Sequence, residues 1–167
     1  MSPQKILVMG VSGSGKSLIG QQLGETLGLQ FLDADDVHSA ANIRKMADGV
    51  PLSDDDRRDW LRDLAGYIGR DQGLVLACSA LKRSYRDQLR QADPALSVIY
   101  LKGDIDTIWL RHAERRDHYF TGKQMLQSQY EQLEEPNPEE AAIVDIRQSP
   151  TQVLQCCLAA LGSRNDE

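Results

Sequence analysis

Residues whose types and spacing can do chemistry begin at Gly10. Gly10, Gly15, Lys16 and Ser17 fit the pattern G-x-x-x-x-G-K-[ST]. Glycines let the backbone curl until successive N–H groups, backed by the positive end of a helix, face an anion. Lys16 can then reach the β- and γ-phosphates of a nucleotide, and the Ser17 hydroxyl can serve Mg²⁺. The expected cradle is the whole run Gly10, Val11, Ser12, Gly13, Ser14, Gly15, Lys16 and Ser17. An ordinary Gly/Ser-rich turn is the competing reading. With Gly near 7% of average usage, a chance match in a chain of this size arises on the order of one per cent of the time. The flanks sharpen it further: apolar Ile6 to Met9 precedes the loop, and an amphipathic stretch with Leu18, Ile19, Leu23 and Leu27 follows, giving strand, loop and helix.

Three polar clusters follow later apolar runs. The first is Asp33-Ala34-Asp35-Asp36-Val37-His38. In extended chain alternate side chains share a face, so Asp33 and Asp35 are expected to point together toward the phosphate loop. There one would hold Mg²⁺ through water and the other would accept a hydroxyl proton. An unperturbed aspartate has a pKa of about 3.9, so both are expected ionised near neutrality. A plainer reading makes Asp35 or Asp36 the cap of a helix over 38–48. The second cluster, Cys78 to Arg86, includes Ser79 and sets Lys82 and Arg86 four apart, on one predicted helix face opposite the stripe Leu81, Tyr85 and Leu89. Cations at a helix N-terminus oppose the macrodipole by a few tenths to about 1 kcal/mol, and an anion would offset that cost. Arg83 and Arg90 read as solvated surface. The third cluster carries Arg111, Arg115, Arg116 and Lys123 in a stretch that interrupts helical patterns. It reads either as an exposed loop or as a mobile lid, approximately 111–123, that excludes water and brings arginine to a transferring phosphate. His112 and His118 lack partners at metal-ligand spacing and read as packing or hydrogen-bonding residues.

The elements that position these clusters follow from periodicity. Five apolar runs have strand length: Ile6 to Met9, Leu29 to Leu32, Leu74 to Cys78, Val98 to Leu101 and Ala141 to Val144. Between them, Ser53 and Asp56 form a capping box ahead of Trp60 or Leu61, Leu64 and Ile68, and Asp104 caps a helix that turns Ile105, Ile108 and Trp109 inward. Met125 or Leu126, Tyr130 and Leu133 continue the pattern until Pro136 and Pro138 stop it. Alternation of this kind predicts an α/β fold, a mostly parallel five-stranded sheet flanked by helices, in one domain over 1–167 with fraying from Gly162. Ligands in such sheets bind beyond the carboxyl ends of the strands, where all three clusters lie. A formal charge of −6 and a pI near 5.1 argue against nucleic acid and anionic membrane as partners. Cys78, Cys156 and Cys157 show no metal spacing and read as small apolar residues of a reducing compartment. Without a long apolar segment or a signal-peptide pattern, the expected location is the cytoplasm.

In this order the clusters resemble the P-loop small-molecule kinases related to shikimate and nucleoside monophosphate kinases. The finer resemblance is to the gluconokinase family. The stretch HSAANIRKMADGVPLSDDDRRDWL is similar to that family's H-x3-N-x2-KM-x2-G-x-PL-x-D-x-DR-x2-WL pattern, and CSALKRSYRDQLR, YLKGD and HYF followed by SQYEQLEEP are similar to its later segments. Ala34 stands where the family often has Gly, and Asp59 where it often has Pro. The resemblance implies ATP-dependent phosphorylation of D-gluconate at its 6-hydroxyl, with ATP and Mg²⁺ bound, D-gluconate as acceptor and a homodimer left open. It implies a site in which Asp35, His38, Arg57, Ser79, Lys82 and Arg86 serve the acceptor, and Lys16, Asp35, Arg111 and Arg115 serve transfer. Ser17, with Asp33 through water, would serve the metal, and Gln148 and Pro150 would touch adenine. Shikimate or a nucleoside monophosphate is the alternative acceptor. A switch GTPase is disfavoured because no N-K-x-D guanine reader is present, and a nucleic-acid ATPase because the acidic balance supplies no polyanion surface.

Overall fold

The computed structural model describes residues 3–114 and 123–165. Its first strand, β1 (Lys5–Met9), is buried at every position, as expected of a strand covered on both sheet faces. The remaining strands are β2 (Gln30–Asp33), β3 (Leu74–Ala77), β4 (Ser97–Lys102) and β5 (Ala142–Asp145). They pair in the order β2-β3-β1-β4-β5, every pair parallel, with Lys5 opposite Leu74 and Ile6 opposite Ser97. The helices are α1 (Lys16–Leu27), α2 (Ala40–Ala47), α3 (Asp54–Ile68), α4 (Arg83–Ala92), α5 (Ile105–Glu114), α6 (Lys123–Gln132) and α7 (Pro150–Asn165). The helix α7 continues past Gly162, where fraying was expected. Among the described residues no helix is long and apolar enough to cross a membrane.

Strand alternation divides the core in two. Leu7, Met9, Leu76, Val98 and Tyr100 pack with Trp60, Leu61, Leu64 and Ile68 of α3 and with Tyr85 and Leu89 of α4. Ile6, Val8, Val75, Ile99 and Leu101 pack on the other face with Ile19 and Leu23 of α1, Ile108 of α5, Leu126 of α6 and Val153, Cys157 and Leu161 of α7. Cys78 and Cys157 are buried among apolar neighbours, whereas Cys156 is exposed. The capping box forms as the sequence predicts: Asp56 N–H donates to the Ser53 hydroxyl and Ser53 N–H to the Asp56 carboxylate. Lys5 is buried and its ammonium donates to the carbonyls of Ile68 and Arg70, a cation at the negative end of α3. From β1 the chain runs past β3 to β2, and from β3 it returns across β1 to β4. The loops after β1, β2 and β3 therefore meet at one carboxyl edge.

Arg86 departs from its expected place beside Lys82 on a helix face open to an acceptor's anion. It is 1% exposed, and its guanidinium faces inward. Nε donates to Glu140 at 2.7 Å, Nη1 to the carbonyls of Ala80 and Leu81, and Nη2 to the Glu134 carbonyl and the second Glu140 oxygen. Those bonds engage the full donor set of a guanidinium, so none remains for an acceptor's anion. What Arg86 does hold is the turn after β3, where Ala80 has φ +44°, a left-handed conformation costly for a residue with a Cβ. Lys82 adopts extended backbone as the N-cap of α4, so the two cations do not share a helix face.

Removing one member of a buried, fully bonded pair leaves the other uncompensated. Arg86→Ala is expected to lower stability by about 3–5 kcal/mol. Urea unfolding measures it, and a loss under about 1 kcal/mol, the scale of an exposed ion pair, would contradict the clamp.

Candidate active site

The phosphate loop takes the form its glycines permit. Gly15 caps α1 at φ +94°, a conformation that L side chains rarely adopt. A Cβ at Gly10 would lie 2.6 Å from Ser14 Oγ and 3.0 Å from the Leu101 carbonyl oxygen, so a side chain there would collide with the cradle. The helix begins with no side-chain cap and no acid in its first turn, leaving its positive end open to an external anion. Beside it the Ser17 hydroxyl donates to Asp33 Oδ2 at 2.7 Å. Hydroxyl and carboxylate oxygens are hard donors of the kind Mg²⁺ takes in small number alongside phosphates and water. The Ser17 and Asp33 oxygens therefore fit an ion that takes its other ligands from phosphate and water.

Asp33 and Asp35 do not share an extended strand. The strand β2 ends at Asp33, and Ala34–Val37 form a 3₁₀ turn. Asp33 itself closes that turn, because its Oδ1 accepts the Asp35 N–H at 3.0 Å and pulls the chain out of the β conformation. The next helix, α2, is capped by Ser39 rather than by Asp35 or Asp36. Asp35 reaches the cleft by this turn. Loss of water there pushes its carboxyl above the ordinary value, Lys16 pulls it down, and Asp33 and Asp36 push it up again. The side chain remains 53% exposed, so solvent screens the shift.

One open cleft brings together Lys16, Asp35, His38, Arg57 and Ser79. His38 is 8% exposed and stacks on Trp60, with ring centroids 4.1 Å apart and planes 14° from parallel. Burial, with Arg57 nearby, holds its pKa down to about 4, so the ring is neutral at pH 7. Arg57 Nη1 donates to Gln132 Oε1 at 2.7 Å and to the Tyr85 hydroxyl at 3.2 Å, and Tyr85 in turn donates to Asp54. Lys82 does not line this cleft. Its ammonium lies 3.0 Å from Asp54, drawn outward by that carboxylate.

The helix α6 supplies wall residues that its sequence pattern did not suggest. Ser128, Gln129 and Gln132 line the cleft, and Gln129 Oε1 accepts the Ser12 N–H at 2.7 Å. Only the apolar stripe of this helix had been legible. Its signal was present in the polar spacing 128, 129 and 132, one side of a helix facing away from Leu126 and Tyr130. A second cleft, on the other side of the loop, is lined by Gly13, Gly15, Leu18, Arg111, Gln148 and Pro150 among others. There the Arg111 guanidinium donates to the Ile146 carbonyl. Arg111 to Glu114 belong to α5 and Lys123 opens α6, so the expected lid, with Arg115, falls mainly on 115–122, outside the described residues.

Neutral His38 makes a pH prediction. Between pH 6.5, its ordinary value, and about 4, its folded value, the unfolded chain takes a proton here that the folded chain refuses. The stability this ring contributes is complete above 6.5 and is lost as pH falls through about 4. Urea midpoints from pH 7.5 to 4 should fall less steeply for His38→Gln than for the parent; equal slopes would contradict a ring held neutral.

Comparison with known proteins adds the family. A shikimate kinase family model matches residues 12–161. Thermoresistant gluconokinase of Escherichia coli (strain K12) is 47% identical over 148 residues, covering 85% of this chain and 84% of that protein. Thermosensitive gluconokinase of the same strain is 41% identical over 168 residues, covering 96% and 89%. The crystal structure of a gluconokinase from Sinorhizobium meliloti 1021 superposes with a TM-score of 0.91 at 41% identity, covering 96% of this chain and 93% of that one. With a phosphate loop beneath one cleft and a buried histidine, an arginine and an aspartate around it, this chain belongs to the gluconokinase family of P-loop kinases.

Proposed function

We propose that the chain transfers the γ-phosphoryl group of ATP to the 6-hydroxyl of D-gluconate, giving 6-phospho-D-gluconate and ADP. The observation that carries this reading is the convergence of Lys16, Asp35, His38 and Arg57 on one cleft, in a chain 47% identical to a gluconokinase. Gluconate is a polyol with a carboxylate at one end. Such an acceptor needs hydroxyl-bonding groups, one cation and a carboxylate near the reacting oxygen, and the cleft offers each.

The roles follow from position. Phosphoryl transfer through a loose transition state asks mainly for orientation and charge neutralisation. Backbone N–H groups of the loop and Lys16 hold the phosphates. Mg²⁺, when bound, supplies further neutralisation at Ser17 and, through water, at Asp33. Asp35 orients the acceptor hydroxyl and takes its proton, a task helped by a carboxyl raised above its ordinary value. Arg57 pairs with the gluconate carboxylate, while Lys82 and Arg86 stand outside the cleft. Ser79 borders the same cleft and serves the polyol. Arg111, Gln148 and Pro150 bound the nucleotide side, and the family resemblance alone assigns Arg115, outside the described residues, to the transferring phosphate. The free thiols Cys78, Cys156 and Cys157 fit a reducing cytoplasm as the place of reaction.

A coupled assay of ADP release against gluconate, shikimate and nucleoside monophosphates tests the reaction. Turnover is expected with gluconate alone, and a comparable kcat/KM on another acceptor would overturn the assignment. In the same assay Arg57→Gln should raise KM for gluconate roughly tenfold or more while KM for ATP stays put, as expected for one lost charge-assisted contact. Lys82→Gln should change neither, and the reverse pattern would move the anion site outward. Asp35→Asn should keep ATP binding by calorimetry and lower kcat by roughly 10²–10⁴. Parental kcat in that variant would remove Asp35 from the chemistry.

A further inference from the structure

The ring of His38 is held at its face and at one nitrogen. Its face lies on Trp60, and the Trp60 indole N–H donates to the Ala34 carbonyl at 2.8 Å, which fixes the plate itself. Its Nδ1 lies 3.3 Å from Nδ2 of Asn42, four residues further on in the first turn of α2 and 5% exposed. The same Nδ2 donates to the main-chain carbonyl of Asp56 at 2.9 Å. A main-chain carbonyl only accepts, so the Asn42 carboxamide must face it nitrogen-first. The second hydrogen of that NH₂ then points at His38 Nδ1, which must accept it. A neutral imidazole carries one hydrogen, and an Nδ1 that accepts leaves it to Nε2.

On the reading of this cleft as the acceptor site, we propose that Asn42 is a positioning residue that locks His38 as its Nε2–H tautomer, so that the ring donates to an acceptor hydroxyl whose own hydrogen faces Asp35. The geometry carries the rest. Nε2 and Asp35 Oδ1 are 3.9 Å apart, too far for a direct hydrogen bond and near enough for one hydroxyl oxygen to touch both. A hydroxyl accepts through its lone pairs and donates once, so with Nε2–H on one side and a carboxylate on the other it has a single direction. The opposite tautomer would present two acceptors to one hydrogen and leave that direction undefined. Ser39 supports the arrangement from below, because its hydroxyl accepts the Asn42 N–H and sets the first turn of α2.

The test begins on the full chain without substitution. Long-range ¹H–¹⁵N spectra at pH 7.5, with His38 identified by its loss in His38→Gln, should show a protonated Nε2 and an unprotonated Nδ1; the reverse pattern overturns the lock. Asn42→Asp replaces the donor by an acceptor, so it should draw the hydrogen to Nδ1 and raise KM for gluconate roughly tenfold with KM for ATP unchanged. An unchanged KM for gluconate with a switched tautomer overturns the proposal. Side-chain mimicry provides the rescue. His38→Gln sets an amide N–H near the place of Nε2 and should stay within roughly threefold of the parent KM, whereas His38→Asn, with its N–H near Nδ1, should not. Titration with gluconate separates the two layers of the argument. A ring that stays Nε2–H but ignores saturating gluconate overturns the acceptor-site reading and this proposal with it. An Nδ1–H ring that responds to gluconate overturns the tautomer lock alone.

Discussion

One carboxylate joins the parts of this site. Asp33 accepts the Ser17 hydroxyl on one oxygen and the Asp35 N–H on the other. The first bond ties β2 to the start of α1, across an intervening strand, and gathers the hard oxygen atoms beside the phosphate loop. The second ends the strand and folds the chain into the 3₁₀ turn that delivers Asp35 and, past it, His38. A side chain at the last position of an edge strand thus sets both the nucleotide side and the acceptor side of the cleft. The parallel sheet makes this economical, since every strand ends at the same edge and a single residue there can reach the neighbouring loop.

Charge is arranged locally against a net acidic background. The chain carries −6 overall, yet the cleft presents Lys16 and Arg57. Surrounding acids dispose of the other nearby cations: Asp54 holds Lys82 outward and Glu140 holds Arg86 and Arg90. Arg57 differs because its hydrogen bonds go to the neutral Tyr85 hydroxyl and Gln132 amide, with the Asp54 carboxylate one step further, beyond Tyr85. A guanidinium bonded to neutral groups keeps its charge available to a ligand, whereas one paired to a buried carboxylate has spent it.

The helix α6 spans both halves of the reaction. Gln129 bonds the phosphate loop at Ser12 and Gln132 bonds Arg57, so one helix face touches the donor cradle and the acceptor cation. Tyr130, on the apolar side, donates to the Gly103 carbonyl and fastens the helix to the end of β4. Amide side chains suit this place because each both donates and accepts and carries no charge that would compete with phosphate.

The amino-acid sequence by itself determined the strands, the phosphate loop and the capping of α3, because each depends on residues adjacent along the chain: alternating or continuous apolar runs, glycines at fixed spacing, Ser53 with Asp56. It also placed Asp33, Asp35, His38 and Arg57 among the candidates. What only the tertiary structure decided was which polar residues meet. Arg86 looked like a ligand cation from its spacing to Lys82, but its fate depended on Glu140 and the Glu134 carbonyl, far along the chain and brought close only by packing. The expected extended Asp33-Ala34-Asp35 gave way to a turn because a side-chain acceptor outcompeted a sheet edge with no further strand to pair. The glutamines of α6 stood on a polar face visible in their spacing, but what that face meets was not: a polar helix face reads as solvated until another part of the chain is shown to lie against it. Local order is written in neighbours along the chain, whereas the direction of a side chain's hydrogen bonds is fixed by neighbours in space.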